Sequence, residues 1–455
     1  MAKVLGVDSS TQSVKIVMRD LDSGELLHSA ARPHPDGTEV APDNWWRALT
    51  DALSEFKSFD AISIAGQQHG MVALDASGSV IRDALLWNDT RSDKAAAALN
   101  QEIPDIHLRT GSKLVASFTA SKVRWLADNE RNNSKRVSAI ALPHDWLSWK
   151  LTGSSQVNEL FTDRSDASGT GYFDAKSNKY QEDIFATALR SDQKVFLPKV
   201  LTPNEFGGKT LTGVPIAAGA GDNAGAALGL GAQVGDLIIS LGTSGTAFAV
   251  SSESTHDESG EIAGFADATG NFLPLACTLN AAKVFAKVAE MLGVTLDKFA
   301  ELALSATSGA GGLRLMPHFD GERTPNRPDA RGTLIGITHS NLTPENIARA
   351  AIEGVVGGMV FAAKALERQG FQTKRILLIG GAARSKAVQE ITAEMFASKI
   401  EVPPTGEYVA DGAARQAAWA LTGKLPTWQI GEVLTVEPKN SSNVAASYLE
   451  LISEL

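Results

Sequence analysis

Two aspartates stand in glycine- and hydroxyl-rich surroundings suited to phosphate chemistry. Asp8 opens the polar stretch DSSTQS, residues 8–13. A carboxylate beside hydroxyls and turn amides can hold Mg²⁺ carrying nucleotide phosphates, directly or through water. An aspartate in a turn is also an ordinary cap, so the residue type alone leaves both roles open. Asp222 lies in Gly219-Ala220-Gly221-Asp222-Asn223-Ala224-Gly225, where glycines permit close backbone approach and an acid stands where a helix begins. A catalytic carboxylate and a helix N-cap fit that spacing equally. The third stretch, ILLIGGAARS at residues 376–385, runs from an apolar strand through Gly380-Gly381 into a helix start. It offers open backbone to a nucleotide's ring and phosphates, a pattern common among α/β proteins. Gly208-Lys209-Thr210 has the ending of a phosphate-binding P-loop, but Pro203 occupies the position of its first glycine and no strand precedes it. The eight histidines include no HExxH and no Cys/His spacing, which argues against zinc.

These residues need elements to carry them. Near the N-terminus an apolar run at residues 3–7, the turn at 8–13 and a second apolar run at 14–18 read as a hairpin. The plan recurs at residues 236–241, the turn Gly242-Thr243-Ser244-Gly245-Thr246, and residues 247–250. Both turns are rich in Gly, Ser and Thr, and each hairpin opens its half of the chain, which marks a duplicated unit. Residues 61–65, 214–218 and 376–379 are buried-strand candidates, each running into a glycine turn. Thr343 as N-cap, Pro344 at the first helical position and apolar residues at Ile347, Ala350, Ala351 and Val355 predict a helix ending near Gly370. Trp45-Trp46 after Pro42 reads as helix packing. Strands alternating with helices predict an α/β chain of two lobes with a cleft between them, divided near residue 230: residues 1–230 and 231–455.

Composition narrows the function classes. Over 455 residues, 42 Lys and Arg face 52 Asp and Glu for a net charge of −10, which argues against nucleic-acid partners and anionic membrane surfaces. With 43% hydrophobic residues the chain can build large cores, and 41 Gly with 17 Pro are too few for a disordered chain. One cysteine, Cys277, excludes an intrachain disulfide and fits the reducing cytoplasm. In the opening MAKVLGVDSS an acid interrupts the apolar run too early for a signal sequence. Residues 214–235 are long enough to span a bilayer, but Asp222 and Asn223 sit at their centre, so they read as a close-packed strand, turn and helix. The glycosylation sequon at Asn341-Leu342-Thr343 reads as chance.

Taken together the motifs resemble the FGGY family of carbohydrate kinases along nearly the whole chain. The resemblance is carried, in order, by GVDSSTQSVK from Gly6, AGQQHG from Ala65, LLWNDTR from Leu85 and SFTASKVRWLADN from Ser117, with Lys122 and Trp125 in place. It continues through DASGTGYFD from Asp166, AGAGDNAG around Asp222, SLGTSG from Ser240, DGERTPNRP from Asp320, a second signature over residues 332–353, and IGGAARS from Ile379. It implies two lobes of duplicated ribonuclease-H-like core, similar in fold to actin, hexokinase and heat-shock ATPases. It further implies ATP-dependent phosphorylation of D-xylulose with Mg²⁺, in a cytoplasmic homodimer.

The resemblance also resolves the ambiguous acids. Asp222 matches the family's catalytic base and Asp8 the acid near the metal. Thr11 and Thr243 match residues at the nucleotide phosphates, and Gly380, Gly381 and Ser385 fall where adenosine is contacted. Gln68 and His69 match the sugar-contacting pair, with Trp87, Asp89 and Asn223 lining the same pocket. A core histidine is the alternative for His69, but its glycine-flanked loop after a strand is where α/β sites form. Asp222 at a helix N-terminus is expected to stay ionised and to accept the proton of the sugar's 5-hydroxyl. The chain departs from many relatives in having Gln68 where they have Met, and Ala382 after Gly380-Gly381 where they have a third glycine. The tyrosine of the glycerol kinases corresponds to about Ser117, which argues against glycerol. Ribulose, gluconate or another polyol remains the rival substrate. A non-catalytic sensor or a chaperone-like ATPase is the rival class, although both Asp8 and Asp222 are present.

Overall fold

A computed structural model describes residues 2–439 and 443–454. The chain forms two compact units. The first holds Met1–Ala232, Ser252–Leu273 and Glu407–Gln429, and the second Gln233–Ser251, Pro274–Gly406 and Ile430–Leu455. A single division at residue 230 therefore needs correction: the chain leaves the first unit at Ala232 but returns to it twice. The second return has a packing reason. Helix Tyr408–Thr422 buries Ala410, Ala414, Ala417 and Ala418 against Val4, Val17 and Ala61 of the first unit's sheet. Its small residues let the backbone come close: a Cβ on Gly412 would lie 1.9 Å from the Gly225 carbonyl.

The first unit is built on a sheet ordered Phe206–Lys209, Pro215–Ala217, Ala61–Gly66, Lys3–Ser9, Ser13–Asp20 and Leu26–Pro33, with Ala220–Gly221 also paired to Ala61–Gly66. Lys3–Ser9 runs antiparallel to Ser13–Asp20 and parallel to Ala61–Gly66. Alternate side chains go to opposite faces. Leu5 and Val7 join Val14, Ile16, Trp45, Leu49, Ile62, Ile64 and Trp146 in one core, while Val4 joins the alanines of Tyr408–Thr422 in the other. With both faces covered, the central strands can be apolar throughout. Trp45, in helix Pro42–Leu53, is a core residue as its context predicts.

The second unit repeats the opening motif. Asp236–Leu241 pairs antiparallel with Gly245–Ala249 and parallel with Arg375–Ile379, and the sheet continues to Ile400–Val402 and Leu434–Val436. Both units are mixed α/β, each opening with the predicted hairpin. The P-loop lookalike lies in strand Phe206–Lys209, so its lysine has no helix behind it. Residues 214–235 form strands Pro215–Ala217 and Ala220–Gly221 and helix Asp222–Gly229. Among the described residues, the one helix long and apolar enough to cross a membrane is Pro344–Arg368, and most of it is buried. The Asn341 side-chain nitrogen of the sequon donates to the carbonyls of Gly311 and Gly336 at 3.1 and 2.8 Å.

Helix Pro344–Arg368 begins as its sequence predicts, with the Thr343 hydroxyl accepting the Asn346 N–H at 3.3 Å. Removing that cap in Thr343→Ala should cost about 1 kcal/mol, read as a lower urea midpoint for the second unit. An unchanged midpoint would show that the tertiary contacts of the helix make the cap dispensable.

Candidate active site

The site in the first unit lies at the C-terminal ends of three neighbouring parallel strands, where α/β folds expose ligand-binding loops. Ala65 in the middle strand is flanked by Asp8 in one neighbour and Ala220 in the other; one residue on, Gly66 is flanked by Ser9 and Gly221. The strand ends thus carry Asp8 on one side, Asp222 on the other, and the loop Gln67-Gln68-His69 between them.

Asp8 sits within strand Lys3–Ser9 and not in the turn, which is shorter than expected and spans only residues 10–12. It is buried and accepts a short hydrogen bond from the Ser10 hydroxyl. Burial pushes its pKa up to about 7 against the Ser10 bond, and the Asp222 charge pushes in the same direction. Asp222 is the first residue of helix Asp222–Gly229, with Gly221 in the N-cap position. Its Oδ1 accepts both the backbone N–H and the side-chain amide of Asn223, at 2.7 and 2.8 Å. Burial outweighs the Asn223 donors and lifts its pKa to about 6, so the acid is expected to be ionised at neutral pH, with a proton affinity above that of an exposed aspartate.

The remaining first-unit residues lie on loops tied to this frame. The Gln68 amide donates to the Ser165 carbonyl at 3.3 Å. His69 adopts φ 68°, a left-handed backbone that costs energy for a non-glycine residue. Its Nδ1 lies 2.6 Å from the Gly169 carbonyl, its ring packs against Phe118 and Phe265, and its own carbonyl accepts from Thr119. The Trp87 indole donates to the Thr11 hydroxyl at 2.8 Å, and Thr11 in turn donates to Gln67 Oε1 at 3.3 Å. Asp89 accepts from Thr38 and from the Arg91 side chain, both at 2.8 Å. Burial works the other way, but these donors hold its pKa below the usual range. Lys122 is fully buried with its ammonium donating to the Ser117 carbonyl; burial brings its pKa down to about 7 against the opposing charge of Asp89.

The other four residues lie in the second unit. Thr243 is exposed in the turn between Asp236–Leu241 and Gly245–Ala249. Gly380 has φ 93°, and a Cβ there would lie 2.6 Å from the Leu241 carbonyl, so only glycine lets this turn close on the neighbouring strand. A Cβ on Gly381 would meet nothing within 4 Å, which leaves its face open. A short 3₁₀ turn, Gly381–Arg384, separates the glycines from helix Lys386–Phe396, with Ser385 as the residue before it.

The sequence reading gave no role to the short helix Arg164–Ser168. It holds the loops above through Ser165, whose hydroxyl also accepts the Gly221 N–H at 3.0 Å. The stretch DASGTGYFD was visible as a motif, but nothing in its spacing shows which loop it supports. Thr38 and Arg91, which fix Asp89, were equally unassigned.

The N-terminal domain profile of the FGGY family of carbohydrate kinases matches residues 3–229, and the C-terminal domain profile matches residues 237–421. The chain belongs to the FGGY family of carbohydrate kinases. It is 42% identical to a xylulose kinase of Streptomyces coelicolor over 92% of this chain and 88% of that protein. It is 30% identical to one of Escherichia coli over 97% and 94%. The crystal structure of xylulose kinase from Bifidobacterium adolescentis superposes with a TM-score of 0.92 at 42% identity, covering 99% of both chains.

A carboxylate with its pKa raised by burial makes the folded state bind protons that the unfolded chain releases. Its contribution to stability is present below the unfolded pKa and is lost as pH rises through the folded value, about 6 for Asp222. Asp222→Asn, which keeps the acceptor for Asn223, should therefore raise Tm by a few degrees at pH 8 and by less at pH 4.5. A variant that melts lower at pH 8 would show that the native carboxylate is not under strain.

Proposed function

We propose that this kinase transfers the γ-phosphoryl group of ATP to the 5-hydroxyl of D-xylulose in the cytoplasm, with Asp222 as general base. One observation carries the assignment of the base: Asp222 is a desolvated carboxylate at the C-terminal end of the parallel strands, with a pKa near 6 and one oxygen fixed by Asn223. Support for the substrate comes from the relatives, which are xylulose kinases at up to 42% identity over most of the chain.

Phosphoryl transfer asks the protein for position and charge neutralisation more than for covalent chemistry. On the sugar side, Gln68, His69, Trp87, Asp89 and Asn223 supply donors and acceptors on loops already tied down by Ser165, Gly169 and Thr11. Asn223 holds Oδ1 of Asp222, leaving Oδ2 to take the alcohol proton. A carboxylate is a far weaker base than an alkoxide, so the proton moves late, as the oxygen–phosphorus bond forms and the bond to the ADP oxygen breaks. With a pKa near 6, Asp222 is ionised at neutral pH yet a better acceptor than an exposed aspartate. Gln68 adds an amide where many relatives have an apolar side chain, and so reads a hydroxyl of the sugar.

In the second unit Thr243 meets the phosphates, while Gly380, Gly381 and Ser385 offer backbone and hydroxyl to adenosine. Asp8 fits a divalent cation: a buried carboxylate whose proton affinity is raised partly by a second carboxylate has a charge excess that a cation relieves. Held there by Asp8 with ATP, Mg²⁺ would supply charge neutralisation for the phosphoryl oxygens.

Asp222→Ala should lower kcat by at least about 10²-fold with the KM for MgATP nearly unchanged, measured by ADP release; near-normal turnover would remove the proposed base. In the wild-type enzyme kcat/KM for the sugar should fall on the acid side with an apparent pKa near 6, because a protonated Asp222 cannot accept a proton. A flat profile from pH 5 to 8 would contradict this. His69→Ala should raise the KM for D-xylulose by roughly 10-fold or more, the loss of one hydrogen bond to a polar substrate. A panel of D-xylulose, ribulose, gluconate and glycerol tests the substrate, and D-xylulose should give the highest kcat/KM.

A further inference from the structure

Behind the strand that ends at Asp222 lies a set of ionisable groups that the proposed chemistry does not use. His144, in helix Pro143–Thr152, is 0% exposed, as are Asp145 and Asp166, and Asp163 is 2% exposed. The His144 Nε2 lies 3.2 Å from Asp145 Oδ1, 3.2 Å from Asp166 Oδ2 and 3.4 Å from Asp163 Oδ1. One N–H cannot be directed at three oxygens, so the interaction is chiefly one of charge. Burial opposes ionisation of the ring, but the surrounding aspartates outweigh it and push its pKa up to about 9. Burial also raises the pKa of Asp166 well above the usual range, against the opposing charge of His144.

Two sets of contacts lead from this cluster to the proposed site. On its far side the ring lies under the catalytic strand: a Cβ on Gly219 would be 2.5 Å from His144 Nδ1, and one on Gly66 would be 3.2 Å from the His144 Cβ. Gly219 leads into Gly221 and Asp222, and Gly66 into Gln68 and His69. Asp163 caps helix Arg164–Ser168, accepting the N–H groups of Ser165 and Asp166 at 2.7 and 3.0 Å. That helix receives Gly221 N–H on the Ser165 hydroxyl and Gln68 on the Ser165 carbonyl, and the Gly169 carbonyl just beyond it meets His69.

We propose that His144 is a buried imidazolium counter-ion that clamps Asp163, Asp145 and Asp166, and through them acts as the positioning residue for Asp222 and the Gln68–His69 loop. Removing one partner of a buried charge group leaves the others uncompensated and forces local rearrangement. A shift of about 1 Å at a reacting group is enough to lower turnover by roughly 10²-fold. The cluster touches neither sugar nor nucleotide; its effect reaches the reaction only through strand and helix.

The inference rests on the functional reading above, and its test separates the two. His144→Gln should lower kcat by up to about 10²-fold and raise the KM for D-xylulose, with the KM for MgATP held, at temperatures where circular dichroism shows the variant folded. His144→Lys, which restores the cation, should recover most of that loss. A folded His144→Gln with wild-type kcat and KM, or a lysine variant no better than glutamine, would overturn the proposal. Independently of turnover, ¹⁵N-histidine NMR of the wild-type protein at pH 7.5 should show an imidazolium signal absent from a folded His144→Lys or His144→Gln variant; a neutral ring would overturn it. So would a stoichiometric divalent metal in the purified protein whose removal by chelation reproduces the His144→Gln kinetics, since the cation would then be the metal. If the wild-type enzyme itself phosphorylates no sugar of the panel, the functional reading fails, while the NMR still reports the charge on His144.

Discussion

Desolvated negative charge at the ends of parallel strands is the constraint on which this molecule turns. Asp8 lies in one strand paired with Ala61–Gly66 and Asp222 directly follows another, and burial holds both carboxylates above their ordinary proton affinity. Such an arrangement works against folding, because each charge is taken from water without a full set of partners. It persists because the strands that carry it are covered on both faces, by the Trp45 and Trp146 core on one side and the alanines of Tyr408–Thr422 on the other. Strain at a site supported by rigid packing is a common trade between stability and activity.

The duplicated hairpin is put to two uses. In the first unit its strands bring the buried Asp8 beside the strand end that leads into Asp222. In the second, the same pair of strands with a parallel neighbour presents an exposed Thr243 and the closed turn at Gly380. Both hairpin turns carry hydroxyls; the difference lies in the buried acids and amides at the strand ends of the first unit and the glycines at those of the second. Sugar and nucleotide call for different surfaces, and a common frame accommodates both because function resides in what its strand ends carry.

Polar order around the proposed sugar site is built inward. Thr11 ties the phosphate-side turn to Trp87, Arg91 and Thr38 fix Asp89, and Ser165 holds Gln68 and Gly221 together. A pocket whose polar groups are fixed in advance discriminates against ligands that leave them unpaired, more strongly than an apolar pocket rejects an extra hydroxyl.

Hairpins, buried strands and the helix beginning at Pro344 were legible in the sequence because they rest on local signals: alternation, turn residues and a capping threonine. The order of motifs was enough to indicate the family, since each is a short run of neighbours. Asp222 as cap or as base was not decidable from spacing, because both roles ask for an acid at a helix start. What only the tertiary structure decided is long-range. The return of Glu407–Gln429 to the first unit depends on alanines meeting a sheet about 400 positions away. The raised proton affinity of Asp8 depends on burial created by the whole unit. His144 gathers carboxylates from its own helix and from a strand and helix about 20 residues on, under Gly66 of a further strand and Gly219 between two others. Sequence determines which side chains are available for such chemistry; desolvation and through-space charge, which set their protonation, exist only once the chain has closed around them.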